Sequence, residues 1–164
     1  MDLPDFNAAA AAELTPALLT CCDVPAWAAA VRDGRPYADV DALLAAADAA
    51  ARRFTSEDVD RALDAHPRIG ERAHRDGAEA RWSRQEQSGV AGDDDTRQAL
   101  AEGNRAYEER FGRVFLICAT GLSGGEVLDS LQSRLRNDGP TEARVVAGEL
   151  REIALLRLRR MVGS

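Results

Sequence analysis

A chain of 164 residues, 45% hydrophobic and 30% charged, is about one soluble globular domain and can bury a core without metals or disulfides. Its net charge of −7 argues against a general nucleic-acid-binding role, which needs a basic face. All 21 basic residues are Arg and none is Lys. That excludes a Schiff base on a Lys side chain, and with it pyridoxal-phosphate enzymes and Lys-dependent decarboxylases or aldolases.

Aromatics make up only 5% of the chain, while Ala recurs in runs such as Ala8 to Ala12 and Ala45 to Ala47. Ala favours helix over strand, so the expected fold class is all-α. Cys21, Cys22 and Cys118 form neither a zinc spacing nor a disulfide framework. The first residues carry Asp2 and Asp5 rather than a basic region, and no apolar run is long enough to span a bilayer. A soluble protein of a reducing, cytoplasmic compartment, with no membrane partner and no metal, is the expectation.

In chain order, Thr15-Pro16 reads as an N-cap with Pro at the first helical position, opening Ala17 to Cys22. Pro25 opens Ala26 to Arg32, with Gly34 placed to stop it. Asp39 or Asp41 caps a helix running to Phe54, with Val40, Leu43, Leu44 and Ala47 on one face. Thr55 with Asp58 imitates a capping box before a helix that ends at Ala65. His66-Pro67 breaks the helix, because the residue before Pro is pushed out of the α region.

The charged stretch Glu71 to Gln87 reads as helical from Ala78 onward, and Ser88 to Asp95 as a loop. A long helix follows from Thr96 to Phe111 and stops at Gly112. Arg113 to Thr120 has the composition of a buried strand, but a lone strand has nothing to pair with, so it reads as extended core backbone. Glu126 to Arg136 and Thr141 to Met161 close the chain. The architecture expected is a single-domain irregular bundle of about seven to nine helices over residues 1–164.

The two histidines are His66 and His74. A side chain held at a helix break beside a rigid Pro67 suits a general acid or base; the plainer alternative is a loop or capping histidine. His74 sits among charged neighbours and reads as solvated surface. Ser83, Arg84, Gln85, Glu86 and Gln87 pack five polar groups into one run, able to grip a small polar heterocycle or simply to form an exposed helix face. Arg157, flanked by Leu156 and Leu158, is either a buried anion clamp or the polar edge of an amphipathic helix.

Together these segments resemble the OHCU decarboxylases, which act on 2-oxo-4-hydroxy-4-carboxy-5-ureidoimidazoline. The resemblance runs through Cys21-Cys22, Trp27-Ala28 and Arg35-Pro36-Tyr37. It is sharpest at His66 to Gly70 and Ser83 to Gln87, and continues through Asn104, Tyr107, Phe111-Gly112 and Phe115 to Ala119. Arg134, Asn137, Glu149 and Ile153 to Leu158 complete it.

The resemblance implies an all-α homodimer that makes S-allantoin in uric acid degradation without a cofactor. It implies catalysis by His66, with Glu86 orienting it or bonding the substrate hydroxyl. The implied substrate pocket is Pro67, Ser83, Arg84, Gln85, Glu86, Gln87, Phe115, Leu116, Ile117, Cys118, Ala119 and Arg157. Within it, the backbone N–H groups of Ile117 to Ala119 would meet the hydantoin-like edge. Two rival readings remain: a non-catalytic helical module that binds a ureide or a protein, and a helical DNA-binding regulator built on His66 to Gly77.

Overall fold

A computed structural model describes residues 1–70 and 78–163. Among the described residues there are nine α-helices and no strand. The backbone gathers into two compact units, Met1–Ala62 with the chain from Leu150 onward, and Leu63–Glu149. The expected helical class stands. His74 and most of the stretch proposed as a DNA-binding motif lie outside the described residues.

The first unit begins with α1 (Leu3–Ala8), whose N-cap Asp2 accepts the Asp5 N–H at 2.9 Å. Next comes α2 (Ala11–Cys21), and here the sequence expectation is corrected: Pro16 lies inside the helix rather than at its start. The alanine-rich residues before Pro16 have high helix propensity, and Leu14 and Leu18, four apart, are both buried. That burial outweighs the one backbone bond Pro16 cannot make. Pro25 does open α3 (Pro25–Asp33), and Asp39 caps α4 (Val40–Ala51) by accepting the Ala42 N–H at 2.7 Å.

The α4 helix stops three residues short of Phe54 because Arg53 and Phe54 turn back onto the Ala50 and Ala51 carbonyls. The Trp27 indole N–H reaches from α3 to the Ala47 carbonyl of α4 at 3.0 Å, so a large buried side chain has its polar atom satisfied. Arg35 donates to the Phe6 and Ala9 carbonyls at 2.9 and 2.7 Å, closing the end of α1. Asn7 brackets the Tyr37 backbone with two bonds of 2.9 Å. The Arg35-Pro36-Tyr37 motif therefore ties backbone together. Thr55 and Asp58 form the reciprocal capping box of α5 (Ser56–Leu63), with bonds of 2.9 and 3.1 Å.

The second unit holds α6 (Ala78–Glu86), α7 (Asp94–Phe111), α8 (Gly124–Arg134) and the first part of α9 (Gly139–Val162). Gly112 ends α7 at φ +67°, the left-handed cap that glycine adopts without strain. Its core gathers Ile69, Val90, Leu100, Tyr107, Phe115, Ile117, Ala119, Val127 and Leu131. The segment after α7 is extended, as expected, and side chains stand in for the missing partner strand. Arg134 donates to the Leu116 carbonyl at 2.6 Å, and Glu149 accepts the Cys118 N–H at 2.8 Å.

Arg134 is itself held by Glu142, which accepts its Nε and Nη2 at 2.8 and 2.6 Å. The Tyr107 hydroxyl also donates to Glu142, and Asn137 donates to it at 2.9 Å. A buried ion pair is tolerable only when its remaining hydrogen-bonding capacity is filled in this way. Burial, reinforced by the bond to Glu142, pushes the Tyr107 hydroxyl well above its ordinary pKa, so it stays a donor.

Candidate active site

At the end of α5 the His66 N–H bonds the Leu63 carbonyl at 2.9 Å, closing the last turn. Pro67 then turns the chain away, and the helix ends at Leu63 rather than at Ala65. His66 is half-buried, with its Nε2 atom buried. Gly70, at φ +83°, completes the loop in a backbone conformation that favours glycine.

Beside this loop lies a cavity of about 670 Å³, walled by the loop, α6 and its end, and α7. Pro67, Ser83, Arg84 and Gln87, all expected site residues, line it. Ser83 and Gln87 stand four apart on α6 and its C-terminal continuation, hence on one face. His66, Gln85 and Glu86 are not among the lining residues. Gln85 is exposed, whereas Glu86 is buried at 7% exposure.

Residues 115–119 are not among the residues lining this cavity. Phe115, Ile117 and Ala119 are packed in the core of the second unit. Of the three N–H groups expected to meet a ligand, that of Cys118 is already bonded to Glu149. An extended segment without a partner strand must satisfy its backbone somewhere, and here the side chains of α8 and α9 do so.

Arg157 belongs to the first unit and is fully buried at 0% exposure, so it is no helix edge. Its Nη1 approaches the Thr20 carbonyl at 3.5 Å. Burial drives the neighbouring Cys22 thiol well above its ordinary pKa, against the opposing pull of the Arg157 charge. Cys22, 1% exposed, packs in the core of the first unit.

Several cavity residues escaped the sequence reading. Arg68 grips Glu108 with two bonds, of 2.5 and 3.1 Å. Arg97 pairs with Asp94 and Arg105 is exposed, and both stand on the cavity wall. Asn104 is 4% exposed, and its Nδ2 donates to the Ile69 carbonyl at 3.0 Å. One signal could have found it: an amide occupying the apolar row Leu100–Asn104–Tyr107 of α7.

The described wall carries Arg68, Arg84, Arg97 and Arg105 against the single carboxylate of Glu108. It suits a small anionic ligand rich in hydrogen-bonding groups. Among the described residues no group of three or more His, Cys, Asp or Glu side chains could hold a metal ion.

A family model for OHCU decarboxylase matches residues 7–159. The "2-oxo-4-hydroxy-4-carboxy-5-ureidoimidazoline decarboxylase" of Amia calva is 32% identical over 84% of this chain and 81% of its own length. The protein of the same name from Haloferax volcanii is 31% identical over 77% of this chain and 75% of its own length. The "uric acid degradation bifunctional protein TTL" of Arabidopsis thaliana is 29% identical over 86% of this chain, which spans only 45% of that longer protein. Among solved structures, an OHCU decarboxylase crystallised in the presence of (S)-allantoin superposes with a TM-score of 0.75 at 26% identity, over 89% of this chain and 96% of that one.

Proposed function

The chain belongs to the OHCU decarboxylase family, and on that premise we propose that it converts 2-oxo-4-hydroxy-4-carboxy-5-ureidoimidazoline to S-allantoin and carbon dioxide. The observation that carries this reading is the cavity, which has Pro67 of the His-Pro motif and three members of the Ser83–Gln87 run on one wall.

Decarboxylation needs an electron sink, usually a cofactor or a Schiff base. This substrate brings its own. The C4–carboxylate bond breaks, its electrons form a C4–C5 double bond, and the C5 imine pair moves to the ring nitrogen, which takes a proton. The enediol-like intermediate then loses the hydroxyl proton at C4 and gains one at C5 on a single face. No cofactor is required, and activity should survive chelation and dialysis.

His66 is the general acid and base that handles these protons, a role imidazole side chains commonly take. Glu86 orients His66 or holds the C4 hydroxyl. Ser83, Arg84 and Gln87 supply polar contacts on the wall. In this reading residues 1–164 act as one catalytic domain in a cytoplasmic homodimer, without nucleic acid or membrane. Light scattering of the purified chain tests the dimer.

The decisive measurement is circular dichroism of freshly generated substrate with and without the protein. Rapid growth of the S-allantoin signal is expected. Decay at the spontaneous rate would leave the non-catalytic binding module, and a salt-sensitive shift of DNA mobility would be needed to revive the regulator.

A further inference from the structure

The loop from His66 to Gly70 follows the end of α5. Pro67 has no N–H, and beyond the His66 bond to Leu63 no backbone–backbone bond of residues 67–70 occurs among the described residues. Side chains from outside hold it instead. Asn104 of α7 donates to the Ile69 carbonyl at 3.0 Å. Gln87, just past α6, accepts the Gly70 N–H at 2.9 Å. Glu108, one helical turn beyond Asn104, receives Arg68.

Asn104 is the buried member of the three, and its placement works against local stability. It occupies a core position of α7 between Leu100 and Tyr107, where an apolar side chain would pack, and Asn is a poor helix former. Its Nδ2 is committed to Ile69, which leaves Oδ1 buried with no hydrogen-bond partner among the described residues. A buried acceptor without a partner is unfavourable, so the donor it accompanies is retained for something other than packing.

We propose that Asn104 is a positioning residue for the decarboxylation: by holding the Ile69 carbonyl it sets the loop that begins at His66, and so the orientation of the His66 imidazole. The inference rests on His66 being the acid/base of the proposed function. Gln87 acts in the same way at the next residue, so part of its expected role is to hold the loop rather than the substrate.

The test is Asn104→Leu, alone and combined with His66→Asn. Leu keeps the branching and heavy-atom count of Asn and suits the apolar row, which offsets the donor lost to the Ile69 carbonyl, so the melting temperature should change little. A displacement of about 1 Å can cost on the order of 100-fold, so kcat is expected to fall about 10- to 100-fold while KM changes little. In the His66→Asn background the same substitution should lower kcat no further, because it acts only through the imidazole.

Unchanged kcat in Asn104→Leu overturns the proposal. So does a loss that persists undiminished in the His66→Asn background, which would mean that Asn104 touches the substrate itself. Should Asn104→Leu not fold, Asn104→Asp keeps size and polarity but cannot donate when ionised, and the same pattern is expected of it. Full activity of His66→Asn alone would instead overturn the acid/base role given to His66, so the two failures are told apart.

Discussion

At the scale of single residues, the proposed proton transfers fall to His66 and Glu86. General acid/base catalysis contributes about 10²–10⁴-fold, so His66→Asn should lower kcat by that order. Glu86→Gln keeps the shape of a buried side chain and removes its charge. If Glu86 works through His66, the double variant should be hardly slower than the slower single one. Multiplication of the two losses, read from initial rates of S-allantoin formation, would give Glu86 a separate role on the substrate. Arg157→Lys tests a different site. The planar fork is lost from a fully buried position, so stability should suffer, with unfolding easier by roughly 1–3 kcal/mol in denaturant titration.

What could be read in the sequence at this scale was local chemistry. A His-Pro break advertises itself by backbone rules, and a dense polar run by composition. Asn104 was named only as a position of the resemblance, and its part in the site shows once α7 is known to bury the face that carries it. The Cys118 N–H could not be assigned from sequence at all, because its partner Glu149 lies 31 residues away.

At the scale of elements, the helices begin and end on readable caps. Asp39, Thr55 with Asp58, and Gly112 were legible; Asp93 at α7 and the Ser123–Glu126 capping box of α8 were not picked out, though the pattern was present. The Pro16 rule failed because propensity and burial upstream outweighed one missing bond. These caps carry a pH signature. Bonds from the Thr96 backbone and side chain hold the Asp93 carboxyl below its ordinary value of 3.8, and contacts with Ser123 and Thr141 do the same for Glu126 and Asp138. A carboxyl whose pKa is lower folded than unfolded adds stability above its unfolded value, and that stability is lost as pH falls through the folded one. Asp93→Ala should therefore melt a few degrees below the parent at neutral pH, and the gap should narrow under acid. An equal gap at every pH would mean the cap acts without its charge.

The extended segment makes a stronger claim on its supports. Arg134 and Glu142 are almost wholly buried, with side chains 6% and 2% exposed. Arg134→Met leaves the Glu142 carboxylate buried without its cation and strips the Leu116 carbonyl of its donor, which should cost about 3–5 kcal/mol. Adding Glu142→Gln should restore part of that loss, since Tyr107 and Asn137 keep a neutral partner. A double variant no more stable than Arg134→Met in chemical denaturation would locate the loss in the Leu116 bond rather than in the stranded charge.

At the scale of the whole molecule, the helical class and the approximate number of helices were legible, because an alanine-rich, aromatic-poor chain leaves little else. The division into two compact units was not, since no linker or composition shift marks Ala62 or Leu150. Charge is where whole and part disagree. The chain carries −7, yet the described cavity wall carries four arginines and one glutamate. For an anionic substrate the distant field repels while the wall attracts, and salt separates them by range. At about 0.01 M ionic strength the Debye length is roughly 30 Å and both act; at about 1 M it is roughly 3 Å and only contact pairs survive. Field focusing in a cleft favours the local sign, so kcat/KM is expected to fall severalfold across that range while kcat moves little. Arg105→Gln, which removes an exposed guanidinium from the wall, should lower kcat/KM at low salt and flatten its salt dependence. A kcat/KM that rises with salt would mean that the net charge governs approach and that the arginines serve only after the substrate has arrived.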